Sequence, residues 1–88
     1  MIINITNLKK KILYRATYRG TKEMDKLLSS FTRKYINTLN EVDLYHLSDL
    51  LDLEDVDLYK FNQGKKLLFE IKKNKVTELF QNFIYKND

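Results

Sequence analysis

Residues 21–36 read TKEMDKLLSSFTRKYI, and the spacing of apolar residues within them decides the fold. Met24, Leu27, Leu28, Phe31 and Tyr35 recur at intervals of three and four, the repeat that gathers side chains on one face of an α-helix. Thr21 stands ahead of the run as an N-cap, because its hydroxyl oxygen can accept from a free N–H in the first turn. Ser29 and Ser30 are weaker helix formers whose hydroxyls compete for backbone hydrogen bonds, so a bend is expected there.

The same repeat extends in both directions. Upstream, Ile5, Leu8, Ile12 and Ala16 line one face of a helix from about Thr6 to Tyr18, with Gly20 beyond its end. Downstream, Asn40 is placed to cap a third helix with Glu41 and Asp43 in its first turn, where the helix dipole favours negative charge. Leu44, Leu47, Leu50 and Leu51 form the apolar face of that helix. The acidic stretch Leu53 to Asp57 makes a tight junction into a short fourth helix, Val56 to Asn62, and Gly64 supplies its stop. A fifth helix is expected from about Lys66 to Tyr85, with Leu67, Ile71, Val76, Phe80, Phe83 and Ile84 as its apolar stripe. The chain has no Pro and two Gly, so little interrupts these helices. At 88 residues it has material for one modest core, and the expectation is an all-α, compact five-helix bundle forming a single domain over 1–88.

Composition removes several classes of function. An apolar content of 43%, including six Tyr and five Phe, rules out global disorder. The absence of Cys removes disulfides, thiolate metal sites and a Cys nucleophile. No run reaches the roughly 18 to 20 apolar residues that span a bilayer, so no direct membrane insertion is expected. In Met1 to Lys11 the apolar residues precede the lysines, the reverse of a secretory signal, and the stretch is read as retained. The stretch before Glu23 is basic, as mitochondrial presequences are, but that stretch contains no Ser.

Charge is segregated along the chain. Residues 1–40 hold nine Lys or Arg against two acids, residues 41–64 hold one against seven, and residues 65–88 hold six against three. The net charge of +4 therefore combines a basic, an acidic and a basic segment that can neutralise one another when packed side by side. That complementarity is preferred to the alternative, a small basic helical nucleic-acid-binding regulator.

Convergent catalytic chemistry is not apparent in the sequence. His46 is the only histidine and falls beside the apolar line of the third helix, where a solvated surface imidazole is expected. The acids Asp49, Asp52, Glu54, Asp55 and Asp57 lack the glycine and spacing of a calcium loop and suit helix starts and a solvated face. Lys65-Lys66 and Lys72-Lys73-Lys75 are not interleaved with aromatic residues as a base-stacking platform would be. The chain is expected not to be an enzyme and to hold no metal.

Arg19-Gly20-Thr21-Lys22-Glu23 is harder to explain by local stability. Arg19 and Glu23 stand four apart and would form only a weak surface pair if both were helical, worth about 0.3–0.5 kcal/mol. A cation near the start of the second helix opposes its dipole, and Gly20 forgoes helix propensity. Glycine suits a turn, or a point where another backbone must come close.

In these residues the chain resembles the SdhE-type flavinylation factors, which assist covalent attachment of FAD to the flavoprotein subunit of succinate dehydrogenase. Their Arg-Gly-x-x-Glu signature is matched by Arg19-Gly20-Thr21-Lys22-Glu23, followed by Met24-Asp25 where the family has an apolar residue and Asp. Leu50-Leu51-Asp52 and Asp55-Val56-Asp57-Leu58-Tyr59-Lys60-Phe61 resemble a second family motif at a similar distance from the first. The resemblance runs from about Lys11 to Gly64, with length and pattern alone continuing it through the last helix. Tyr18 stands where many members have a second Arg, Val56 replaces the usual Pro, and Phe61 replaces the usual Trp. Val56 and Phe61 are expected to preserve packing, and Tyr18 to retune docking.

The resemblance implies a five-helix assembly factor without enzymatic activity. It would have no cofactor of its own and would act on the FAD of its partner, whose own histidine accepts the flavin. The partner would be the flavoprotein subunit of succinate dehydrogenase, with a related fumarate reductase left open. Arg19, Gly20, Glu23 and Asp25 would form the partner-binding surface. Tyr59 and Phe61 would chiefly pack the fourth helix, with a Tyr edge free to join the contact. A monomer is expected, in the cytoplasm of a bacterium or the mitochondrial matrix of a eukaryote.

Overall fold

The computed structural model describes residues 4–85, which form five α-helices and no strand. They are α1 (Ile5–Thr17), α2 (Lys22–Tyr35), α3 (Glu41–Leu51), α4 (Asp55–Asn62) and α5 (Lys75–Asn82). Met1 to Ile3, part of the stretch read as a retained start, and residues 86–88 lie outside the described residues.

Most helices begin where a short polar side chain can satisfy a free N–H. Asn4 accepts from Asn7 at 3.1 Å, Thr21 from Met24 at 3.2 Å, and Asn40 from Asp43 at 2.8 Å. α2 continues through Ser29 and Ser30 without interruption. α4 has no side-chain cap at Glu54 and instead carries Asp55 and Asp57 in its first turn.

α1 packs on α2 and α3, and α5 packs on α3 and α4. α3 is therefore covered from two sides, and its buried set is wide: Asp43, Leu44, Leu47, Leu50 and Leu51. The largest buried side chains, Phe31 of α2 and Phe80 of α5, meet edge to face with ring centroids 5.1 Å apart. Phe83 also meets Phe31 edge to face, at 5.3 Å, and Phe61 stacks on Phe80 at 6.3 Å. Such aromatic pairs add about 0.5–1.5 kcal/mol each beyond the area they bury. They join the last helix to the second and fourth.

α5 is much shorter than its sequence pattern predicts. Gly64 turns the chain at φ 73°, and the Lys65 N–H donates to the Lys60 carbonyl at 2.8 Å, but residues 65–74 then follow an irregular path. The helix starts only at Lys75, where Asn74 and Thr77 form a reciprocal capping box with both hydrogen bonds at 2.9 Å. Extending α5 backwards would place Asn74 inside a helix and break both bonds. At the other end, the Asn62 amide donates to the carbonyls of Phe80 at 2.8 Å and Phe83 at 2.9 Å, which closes α5 and ties it to the end of α4. Leu68 is consequently fully exposed, and Ile84 is also largely in solvent instead of extending the stripe.

Candidate docking surface

Tyr18 ends α1, and Arg19, Gly20 and Thr21 carry the chain into α2. Arg19 therefore belongs to neither helix, and its side chain turns towards the α3–α4 junction. Nε donates to Asp55 Oδ1 at 2.8 Å, Nη1 to the Leu51 carbonyl at 3.1 Å, and Nη2 to the Leu53 carbonyl at 3.0 Å. Leu51 is the last residue of α3 and Asp55 the first of α4. The guanidinium thus sits at the negative end of one helix dipole while its carboxylate partner sits at the positive end of the next. The dipole conflict anticipated at the start of α2 does not arise, and the i, i+4 pair with Glu23 is not made.

Gly20 completes the clamp. Its N–H donates to Asp55 Oδ2 at 3.1 Å, so each carboxylate oxygen accepts from one residue of the Arg-Gly pair. A Cβ on Gly20 would lie 3.3 Å from that same oxygen, closer than an ordinary contact. The close approach that calls for glycine comes from this chain's own Asp55.

Arg15, one helical turn before Arg19, repeats the theme. It donates to Ser48 Oγ at 2.8 Å and pairs with Asp52, both on the α3 side. The two pairs differ in burial: the side chains of Arg19 and Asp55 are 13% and 25% exposed, those of Arg15 and Asp52 34% and 68%. An open pair contributes about 0.5 kcal/mol, whereas removing one member of a shielded pair leaves a charge without its partner. With Lys75–Asp43 at 3.8 Å, every ion pair among the described residues joins a basic segment to the acidic one. Arg15 and Arg19 are thereby drawn out of the basic surface that nucleic-acid binding would need.

Glu23 and Asp25 differ from the Arg-Gly pair. Both lie in the first turn of α2; Glu23 is exposed, Asp25 is half-buried, and neither enters an ion pair among the described residues. Glu23 stands at the edge of an open groove of about 770 Å³, with Lys26 of α2, Tyr59 and Asn62 of α4, and Phe83 and Tyr85 beyond α5. The four sequence-derived site residues thus divide into an internal brace, Arg19 and Gly20, and two acids of the first turn of α2 that lie on different sides of the helix, of which Glu23 alone lines the groove. Asp55 is the member that sequence reasoning missed, although its motif was noted; a charge 36 residues away leaves no local signal.

The remaining sequence-derived candidates separate as well. Phe61 packs against the core, while Tyr59, 46% exposed, lines the groove. Val56 does not preserve packing as expected: it is exposed at the start of α4, and Leu58 is the residue of that turn which enters the core. Tyr18 is exposed with its ring 4.6 Å from that of Tyr14. His46 is not the solvated imidazole anticipated. It is half-buried because α3 is covered on two sides, and its Nδ1 is enclosed without a hydrogen-bond partner among the described residues. Among the described residues no group of three or more His, Asp or Glu side chains converges as a metal site.

Fold and surface together define a small all-α protein that holds an Arg-Gly junction rigid beside an acid-edged groove. The chain belongs to the family described as flavinator of succinate dehydrogenase, whose model matches residues 10–84. Among curated proteins it is similar to succinate dehydrogenase assembly factor 2, mitochondrial, of Dictyostelium discoideum, with 36% identity over 87 residues, covering 99% of this chain and 61% of that protein. The factor of the same name from Scheffersomyces stipitis is 41% identical over 49 residues, covering 56% of this chain and 33% of that protein. That from Saccharomyces cerevisiae is 39% identical over 49 residues, covering 56% and 30%. The chain therefore spans about a third of the length of these fungal relatives. No solved structure matches it.

Proposed function

We propose that this protein is a non-catalytic assembly factor that binds the flavoprotein subunit of succinate dehydrogenase and promotes covalent attachment of FAD to it. The observation that carries the proposal is the braced Arg-Gly junction, which fixes α2 so that Glu23 is presented at a groove edge in a chain of the flavinator family. Glu23, and secondarily Asp25 on another side of α2, would supply the direct polar contacts to the partner. Arg19 and Gly20 would hold that surface in shape, with two of the five guanidinium N–H donors remaining for the partner.

The flavin and its acceptor histidine would both belong to the partner. The factor would bind the conformer in which they are aligned more tightly than other conformers, and could shift the population only by that difference in affinity. Alignment lowers the entropic part of the attachment barrier. A related fumarate reductase flavoprotein would be a second client. The factor would work as a monomer, in the mitochondrial matrix of a eukaryote or the cytoplasm of a bacterium.

The test is complementation of a strain lacking its own factor, read as flavin that stays on the flavoprotein subunit after denaturation. Wild-type chain should restore it and Glu23→Arg should not. Full flavinylation without any factor would overturn the proposal.

A further inference from the structure

Residues 65–73 read KKLLFEIKK: the pairs Lys65-Lys66 and Lys72-Lys73 bracket Leu67, Leu68, Phe69 and Ile71, with Glu70 the one acid between them. This stretch is the loop between α4 and α5, and it is held at both stems. Lys65 N–H donates to the Lys60 carbonyl at 2.8 Å, and the Lys72 carbonyl, 3.2 Å from Thr77 Oγ1, shares that hydroxyl's one proton with the Asn74 carbonyl at 3.1 Å. Between the stems Leu68 is 105% exposed and Phe69 44% exposed. None of the four bracketing lysines enters an ion pair among the described residues.

We propose that this loop attaches the protein peripherally to an anionic lipid surface. Leu68 and Phe69 enter the boundary between headgroups and acyl chains, and the two lysine pairs lie on the lipid phosphates. An apolar tip rimmed by long cationic side chains matches the layering of such a surface, apolar within and anionic at its face. Each lysine near an anionic leaflet strengthens attachment about fivefold. Burial of a Leu or Phe side chain strengthens it about tenfold or more.

A protein partner fits the loop less well, since protein interfaces are depleted in Lys. A nucleic-acid strand is held by aromatic rings in series, and the loop offers Phe69 alone. None of the described residues hydrogen-bonds to residues 66–71, so their backbone groups stay hydrated at headgroup level and the attachment is shallow. No helix among the described residues is long and apolar enough to cross a membrane, which leaves surface attachment as the mode available to this loop.

The test is co-sedimentation of the full chain with vesicles of phosphatidylcholine, alone or mixed with phosphatidylglycerol. The mixed vesicles should carry the protein down and the neutral ones should leave it in solution. Leu68→Ser with Phe69→Ser, and separately Lys72→Gln with Lys73→Gln, should each lower the partition constant about tenfold or more without changing the far-ultraviolet spectrum. Should the first variant unfold, the lysine variant, altered only at exposed positions, reads the same constant. No sedimentation with anionic vesicles at low salt, or equal partition by wild type and folded variants, would overturn the proposal. So would lysine-dependent binding of single-stranded RNA in place of vesicles.

Discussion

The carboxylate of Asp55 is shared between the Arg19 side chain and the Gly20 backbone, with Arg19 Nε 2.8 Å from one oxygen and Gly20 N 3.1 Å from the other. One acid at the start of α4 therefore reads both residues of the Arg-Gly pair that joins α1 to α2. Four helices meet through it, because Arg19 also binds the carbonyl at the end of α3. Removing either charge should cost about 2 kcal/mol, below the value for a fully buried pair because both side chains keep some solvent contact. Urea denaturation of Arg19→Ala, Asp55→Ala and the double variant should give a coupling energy of about 1 kcal/mol or more. Arg19→Lys should not restore stability, since an ammonium cannot reproduce three diverging guanidinium bonds. Additive single losses would show the clamp to be energetically idle.

Gly20→Ala keeps the N–H but adds a Cβ against Asp55, and should lose about 1 kcal/mol through the forced retreat of the carboxylate. In an Asp55→Ala background the same change should cost close to nothing, because the atom it meets is gone. An equal cost in both backgrounds would place the demand for glycine in the backbone conformation instead.

Glu23→Arg should leave stability within about 0.5 kcal/mol, as expected for an exposed side chain without an ion pair. Its affinity for the flavoprotein subunit should fall at least tenfold by calorimetry, about 1.4 kcal/mol. Retained affinity would move the contact off the groove edge.

Phe80→Ala removes the ring shared by Phe31 and Phe61 and should destabilise the protein by about 3–5 kcal/mol. Asn74→Ala should cost about 1 kcal/mol by breaking the capping box that starts α5. Thermal unfolding followed by circular dichroism separates the two: a deep fall in midpoint for the first, a shallow one for the second.

Much of the fold was legible because it is written locally. Met24, Leu27, Leu28, Phe31 and Tyr35 all sit in or against the core, and Thr21 and Asn40 cap the helices they were assigned. The sequence pattern overextends α5 because Leu68 and Ile71 fall at helical spacing with Lys75 and Leu79. Periodicity counts positions and takes no account of Asn74 and Thr77 satisfying each other across the start of a helix. The site was legible as a motif and illegible as a geometry. Arg19 and Asp55 belong to segments of opposite charge, so a broad attraction could be anticipated, whereas the pairing itself depends on the α1–α2 junction being packed against the α3–α4 junction. His46 was misplaced for a similar reason, since cover on two sides of α3 is a tertiary fact.

The central claim, that Glu23 presented by a braced Arg-Gly junction promotes flavin attachment on another protein, is tested most directly by covalent flavin fluorescence. The signal is read on the denatured flavoprotein subunit, made with wild-type factor, with Glu23→Arg, or with none. The account predicts strong fluorescence with wild type and background fluorescence with the other two, while the variant keeps its helical spectrum. Equal fluorescence in all three would contradict it.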